Sequence, residues 1–261
     1  MSAGNGSGPG MGPVESGLRR RLAGGPIHLT LIDPEKSSPA DAARLAQGAA
    51  DLGTAGILLG GSTGISPDRM GAVVRAVRTA VPVPTIIFPE GPGSVAAGAH
   101  AILFMSLLNS RNLDLVIRIH ARTARTIRAA GLETIPLGYL VIAPGMRVGE
   151  VGQADPIARD DPASAQGYAL AAEMLGMRWV YLEAGSGAPD PVPPAMVRAV
   201  REVLRIPLIV GGGIRTARDA RATLDAGADV LVTGTVAEEH GAAGALAEIL
   251  AEVGRGARRG P

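Results

Sequence analysis

Polar residues able to do chemistry stand in this chain where apolar runs end. Asp33 closes HLTLID, Glu183 closes WVYLE, Gly211-Gly212-Gly213 follows IPLIV, and Gly234-Thr235 follows ADVLVT. A single carboxylate such as Asp33 suits Mg²⁺, which takes one or two protein carboxylates and keeps waters and substrate phosphates as its other ligands. Ser62, in GGST, offers a hydroxyl to the same ion; its alternative role is to satisfy the turn it sits in, as an Asp-Pro turn is for Asp33. In WVYLE the strand alternation sends Trp179, Tyr181 and Glu183 one way and Val180 and Leu182 the other. A carboxylate and a phenol aimed together are poor core residues, so Glu183 is a candidate general base for a hydroxyl held about 3 Å away. The alternative for Glu183 is an ion pair with Arg215. Tyr139, in PLGYLVI, is a second candidate catalytic group, or else a packed core tyrosine. The glycines of GGGIRTARDA and VTGT each stand between a strand and a helix start, where backbone N–H groups and the helix dipole favour a doubly charged anion. Gly212, Gly213, Gly234 and Thr235 are therefore candidate phosphate contacts.

Such residues work only if the fold gathers them. Strand-like runs at Ile27–Asp33, Ala55–Gly60, Thr85–Phe88, Ala101–Leu107, Thr134–Ile142, Trp179–Glu183, Pro207–Val210 and Asp229–Thr233 alternate with helical patterns. That rhythm predicts an α/β fold, a (β/α)8 TIM barrel, whose loops after strands seven and eight commonly bind phosphate. The helix after strand three is missing or vestigial, because Pro89–His100 holds Pro89, Gly91, Pro92, Gly93 and Gly98 and leaves no room for it. An apolar seam on the barrel wall should result. Asn112–Ala130 reads as a long helix with Leu113, Val116, Ile117, His120, Ala124 and Ile127 on one stripe. Ala143–Pro162, rich in Gly, Pro and Asp, is a lid candidate. Val14–Leu22 is a short leading helix and Ala242–Val253 the closing one. One barrel domain is expected over 14–254, between disordered tails at 1–13 and 255–261.

Composition narrows the function. Hydrophobic residues make up 46% and charged residues 19%, enough for one large core, and the 2% of aromatics leaves that core to Ala, Val, Leu and Ile, as buried parallel strands prefer. A net charge of +1 gives no basic field for nucleic acid. The absence of cysteine excludes disulfides, thiolate metal sites and a cysteine nucleophile, and is compatible with a cytoplasmic location. No apolar run approaches the roughly 18 residues of a membrane span, and MSAGNGSGPGMGP lacks the apolar centre of a signal peptide. The histidines His28, His100, His120 and His240 show no metal-ligand spacing.

HLTLIDPEK at 28 to 36, GGSTG at 60 to 64, FPEGPGS at 88 to 94, FMSLLNSRN at 104 to 112, IPLGYLV at 135 to 141, YLEAGSG at 181 to 187, GGGIR at 211 to 215 and VTGT at 232 to 235 together resemble one family. It is that of the geranylgeranylglyceryl phosphate synthases of archaea and their bacterial relatives that use other prenyl chains. The resemblance covers about residues 27 to 238. It implies a Mg²⁺-dependent prenyltransferase that joins the 3-hydroxyl of sn-glycerol 1-phosphate to a prenyl diphosphate. By the same resemblance Asp33 and Ser62 hold the metal. Tyr181, Leu182, Glu183, Ala184, Gly185, Ser186, Gly187, Gly212, Gly213, Gly234 and Thr235 hold glycerol phosphate, and Glu183 orients or deprotonates its hydroxyl. The uncovered seam becomes a groove for the prenyl chain. The exposed apolar seam favours association into a homo-oligomer, and transient contact with a membrane surface for product release is expected. Leu31 departs from the pattern: part of the family has a lysine there, so a positive contact for diphosphate is unaccounted for. The alternative enzyme is another phosphate-binding barrel, a sugar-phosphate isomerase or lyase. An aldolase would want a strand lysine, and the one lysine, Lys36, lies in a loop. A non-catalytic phospholigand-binding barrel would leave Asp33 and Glu183 idle.

Overall fold

The short apolar runs become eight parallel strands: β1 (Ile27–Ile32), β2 (Gly56–Leu59), β3 (Thr85–Ile87), β4 (Ala101–Leu107), β5 (Glu133–Val141), β6 (Trp179–Glu183), β7 (Leu208–Gly211) and β8 (Val230–Thr233). Each pairs with the next, and β8 returns to β1 in the register Ile27 to Val230, closing the barrel. The structure, a computed structural model, describes residues 10–61, 64–234 and 243–257. Helices α1 (Pro13–Leu22), α2 (Pro39–Asp51), α3 (Pro67–Ala80), α4 (Ile119–Ala129), α5 (Met146–Val151), α6 (Pro162–Met174), α7 (Pro194–Val203), α8 (Ala217–Asp225) and α9 (Ala243–Ala257) complete it. Ser38, Ser66, Asp161 and Thr216 cap the starts of α2, α3, α6 and α8 with their side chains, and α2, α3 and α6 also open on a proline. Of the two expected tails, residues 1–9 and 258–261 lie outside the described residues. At the near side of each, α1 opens at Pro13 and α9 runs to Ala257, past the expected limit of 254.

Strand alternation builds two cores. Leu29, Leu58, Ile86, Leu137, Trp179, Ile209 and Val230 fill the barrel, joined by Leu18 of α1. Ile32, Ile57, Ile87, Val180, Leu182 and Val210 point outward against Ala46, Val73, Ala169 and Val197 of the helices. A third of the way round, the wall is thin. Between β3 and β4 there is a single 3-10 turn, Pro92–Ser94, where the barrel period calls for a helix, as the prolines and glycines require.

Two sequence expectations change. The stripe Leu113–Val116–Ile117–His120 is broken, with Leu113 46% and Ile117 54% exposed while His120, Thr123 and Ile127 are buried. The cause is a π turn, Asp114–Arg118, ahead of α4: its wider turn shifts the phase, so a 3.6-residue stripe drawn through it selects the wrong side chains. Ala143–Pro162 is not an open loop. It contains α5 and is stitched down by Asn109, whose Nδ2 donates to the carbonyls of Val141 and Asp155 at 2.9 and 2.8 Å, and whose Oδ1 accepts from Val141 N–H at 3.1 Å. Ser110 donates to the Gly152 carbonyl, and Ala143 N–H to that of Ile157. Among the described residues, no helix is long and apolar enough to cross a membrane.

On β1, His28 bridges strands rather than binding anything. Its ring nitrogens lie 3.0 Å from Thr54 Oγ1 and 2.9 Å from Thr233 Oγ1, and burial holds its pKa down from 6.5 to about 3. The unfolded chain takes this proton near 6.5 and the folded one only near 3, so the unfolded state binds more protons in between. Stability is full above that window and falls with pH through it, at up to ~1.4 kcal/mol per pH unit. His28→Gln should flatten the fall of the thermal midpoint with pH; equal slopes for both proteins would exclude this origin.

Candidate functional site

The rim at the C-terminal ends of the strands is built around Glu183, the last residue of β6, 6% exposed. Its Oε1 accepts from Gly185 N–H at 2.7 Å, and the hydroxyls of Tyr181 and Tyr139 both hydrogen-bond to the carboxyl. Burial pushes the Glu183 pKa up, and those three donors pull partly against it. The phenols are driven well above their ordinary range by burial and by the Glu183 charge, so both stay protonated and donate. Tyr139 is thus held as a partner of Glu183, its ring 4.9 Å from that of Tyr181 and each ring edge-on to Phe88. The expected alternative of an Arg215 ion pair is not realised, because that guanidinium donates to the Gly187 carbonyl at 3.0 Å.

Small residues make this packing feasible. A Cβ on Gly211 would collide with the Tyr181 hydroxyl, and one on Gly212 with Glu183 Oε1; Gly212 also has a φ of +79°, open chiefly to glycine. Beside Glu183 a small cavity is lined by Leu31, Tyr181, Ser186, Gly187, Gly212, Gly213, Arg215 and Gly234. Backbone N–H groups, the start of α8 and one guanidinium make it suited to a phosphate dianion. Leu182 and Ala184, expected among the substrate contacts, are instead fully buried in the outer layer against the helices. The Gly185 N–H is spent on Glu183. Thr235 and His240 lie outside the described residues.

A second, larger cavity of about 430 Å³ begins on the other side of Tyr139. It runs where the third outer helix is missing, between Ile102 and Phe104 of β4, Val95, Leu115 of the π turn, and the inner face of α4 with Ile119, His120, Thr123 and Ile127. His120 is packed, its Nε2 2.7 Å from the Met105 carbonyl and its ring edge-on to Phe104. The walls are largely apolar, with Gly61, Glu90 and Arg147 also among the lining residues.

Asp33, 8% exposed, ends β1 with Gly61 pressed against it, where a Cβ would come 2.6 Å from Oδ2. It accepts from Glu35 N–H at 2.9 Å and pairs with Lys36 Nζ at 3.6 Å, which leaves that lysine, 62% exposed, far from a Schiff-base role. Ser62 lies outside the described residues. Glu90 is the carboxylate sequence reasoning passed over. Burial and then the Asp33 charge push its pKa up to about 7; the Gly61 N–H offsets part of this, yet neither carboxyl oxygen has a partner of hydrogen-bonding geometry among the described residues. The rule that found Asp33, a carboxylate just past a strand end, also fits Glu90 after β3. Among the described residues no three His, Cys, Asp or Glu side chains converge on one metal position. A cation here would rest on one or two carboxylates, which is the Mg²⁺ pattern.

The model of the PcrB family matches residues 18–253. The chain is 46% identical over 248 residues to the geranylgeranylglyceryl phosphate synthase of Thermococcus kodakarensis, covering 95% of this chain and 98% of that one. It is 50% identical over 212 residues to the synthase of the same name from Methanothermobacter thermautotrophicus, covering 81% and 86%. Among solved structures, (S)-3-O-geranylgeranylglyceryl phosphate synthase from Thermoplasma acidophilum in complex with sn-glycerol-1-phosphate superposes with a TM-score of 0.89 at 43% identity, over 94% of this chain and 99% of that one.

Proposed function

The chain belongs to the PcrB family, and from that premise we propose that it is a prenyltransferase joining the 3-hydroxyl of sn-glycerol 1-phosphate to a prenyl diphosphate. One observation carries this reading. The small phosphate-suited cavity and the long apolar one meet at Glu183 and Tyr139: Glu183 lines the first, and Tyr139, hydrogen-bonded to it, lines the second. A small polar phosphate ester and a long hydrocarbon are thereby brought end to end across a base.

In the reaction the glycerol oxygen forms a bond to the terminal prenyl carbon as the bond from that carbon to diphosphate breaks. The electron pair leaves with diphosphate, and the hydroxyl proton passes to the Glu183 carboxylate. Burial raises the basicity of Glu183 toward that of the proton it must take, and Tyr139, Tyr181 and Gly185 hold the carboxyl in one orientation. Gly212, Gly213, Gly234, Ser186 and Arg215 anchor the phosphate, with Thr235 beyond the described residues. Asp33 and Glu90, with Ser62, are the groups to hold Mg²⁺; a bound divalent cation supplies charge neutralisation for the departing diphosphate. Two surface features fit the rest of the reading. Leu113 and Ile117 are exposed beside Arg118 in the π turn, as contact with a membrane surface would require, and Met174 and Leu175, 81% and 71% exposed, offer an apolar face for self-association.

Incubation with sn-glycerol 1-phosphate, Mg²⁺ and prenyl diphosphates of several lengths should yield an ether-linked prenylglyceryl phosphate and diphosphate. A chain that makes no such product with any length is not this enzyme.

A further inference from the structure

The geometry points to Arg147 as the residue that receives the diphosphate of the prenyl substrate, an inference that rests on the prenyltransferase reading. A charged head on a hydrocarbon tail needs a cation where an apolar groove opens onto the reacting groups. Leu31 supplies none. Several other cations near the rim are engaged: Lys36 with Asp33, Arg69 with the Pro34 and Ser37 carbonyls, Arg159 with those of Ala143 and Pro191, Arg111 with Asp155, and Arg215 with Gly187 in the phosphate cavity, while Arg218 stands on α8 beside that phosphate cavity and does not line the groove. Arg147 lines the groove with Tyr139, Gly61 and Glu90, and no hydrogen bond or ion pair holds its side chain among the described residues.

Its backbone, by contrast, is tightly placed. Gly145 N–H donates to the Ala184 carbonyl at 3.1 Å, and a Cβ on Gly185 would meet the Gly145 carbonyl and the Met146 side chain within 2.7 Å. The segment before Arg147 therefore lies against the loop that orients Glu183. Met146 sits at a φ of +48°, a region a side chain of its size enters only where surroundings demand it. On the far side Val148 packs on the barrel core. A fixed backbone carrying an unengaged guanidinium, on an apolar groove that Glu90 also lines with Asp33 behind it across Gly61, suits a metal-bound diphosphate: the carboxylates take the cation and the guanidinium takes phosphate oxygens in its planar fork.

The test uses the full chain with Mg²⁺. Inorganic diphosphate binding is measured by calorimetry, geranylgeraniol binding by competition, and steady-state kinetics are run with geranylgeranyl diphosphate. Arg147→Ala should weaken diphosphate about 10- to 100-fold and raise the KM for the prenyl diphosphate by a similar factor. Binding of glycerol 1-phosphate and of the uncharged alcohol should stay unchanged, and Arg147→Lys should recover part of the loss. The assignment is overturned if wild type and Arg147→Ala bind diphosphate alike, or if the alcohol weakens as much as diphosphate. Failure of the function itself reads differently: wild type would then form no ether product, whatever its affinity for diphosphate.

Discussion

Glu183→Gln is expected to cut turnover by about 10²- to 10⁴-fold, the usual worth of a positioned general base, while changing the affinity for glycerol 1-phosphate little. The amide fills the same space and still accepts from Gly185 N–H at the position Oε1 now holds. The phosphate stays anchored by Gly212, Gly213 and Gly234, which the substitution does not touch. What disappears is the acceptor for the hydroxyl proton, an interaction made only as the ether bond forms, so the loss belongs in kcat rather than KM. The pH profile gives an independent readout. Burial raises the Glu183 pKa, and the ionised form is the active one, so wild-type kcat/KM should fall as pH drops through a value above the ordinary carboxylate range. In Glu183→Gln that acidic limb should vanish. Equal losses in binding and turnover, or an unchanged limb, would leave Glu183 with an orienting role only.

The parts of the site that could be read in the sequence are those fixed by local rules. The βα period and strand alternation placed Asp33 and Glu183 at the rim with Tyr181 on the same face as Glu183, and Gly211 to Gly213 marked a turn of the kind that suits phosphate, because each depends on residues within one strand and its loop. The missing helix was equally local: prolines and glycines between β3 and β4 forbid it wherever the rest of the chain goes. What escaped depends on distant contacts or on a break in period. The π turn at Asp114–Arg118 moved the phase of α4 by an amount no 3.6-residue template carries. Leu182 was drawn inward by its place in YLEAGSG, although alternation sends it to the helices. Arg147 owes its place to Asn109, whose side chain anchors the β5 end and Asp155, and to the approach of Gly145 to Ala184, contacts between segments far apart in sequence. Glu90 stands where the βα rhythm breaks, and the prolines and glycines around it hide the strand end that Asp33 shows plainly.

Bulky residues set along α4 should set the length of prenyl chain the enzyme accepts. The helix follows β4 and the π turn, so it descends from the rim, and Ile119, Thr123 and Ile127 line the groove below Leu115 of that turn. From Ile119 to Ile127 the descent is about 12 Å at ~1.5 Å per residue. Thr123→Trp blocks the groove midway, and its loss is cheap to the fold because the Thr123 hydroxyl bonds only its own helix, at the Ile119 carbonyl. Each isoprene unit kept from the wall forfeits about 4 kcal/mol at ~0.8 kcal/mol per buried carbon, close to a thousandfold in kcat/KM as an upper bound. Ile127→Trp, nearer the floor, should penalise only the longest diphosphates, and Thr123→Trp should penalise those and the next shorter, with C10 and C15 substrates compared against C20 in each. The order matters more than the size. Steps that track depth mean the tail lies along α4 in the space the absent helix leaves, whereas a uniform loss across all lengths would place the tail elsewhere and leave this cavity without a part in the reaction.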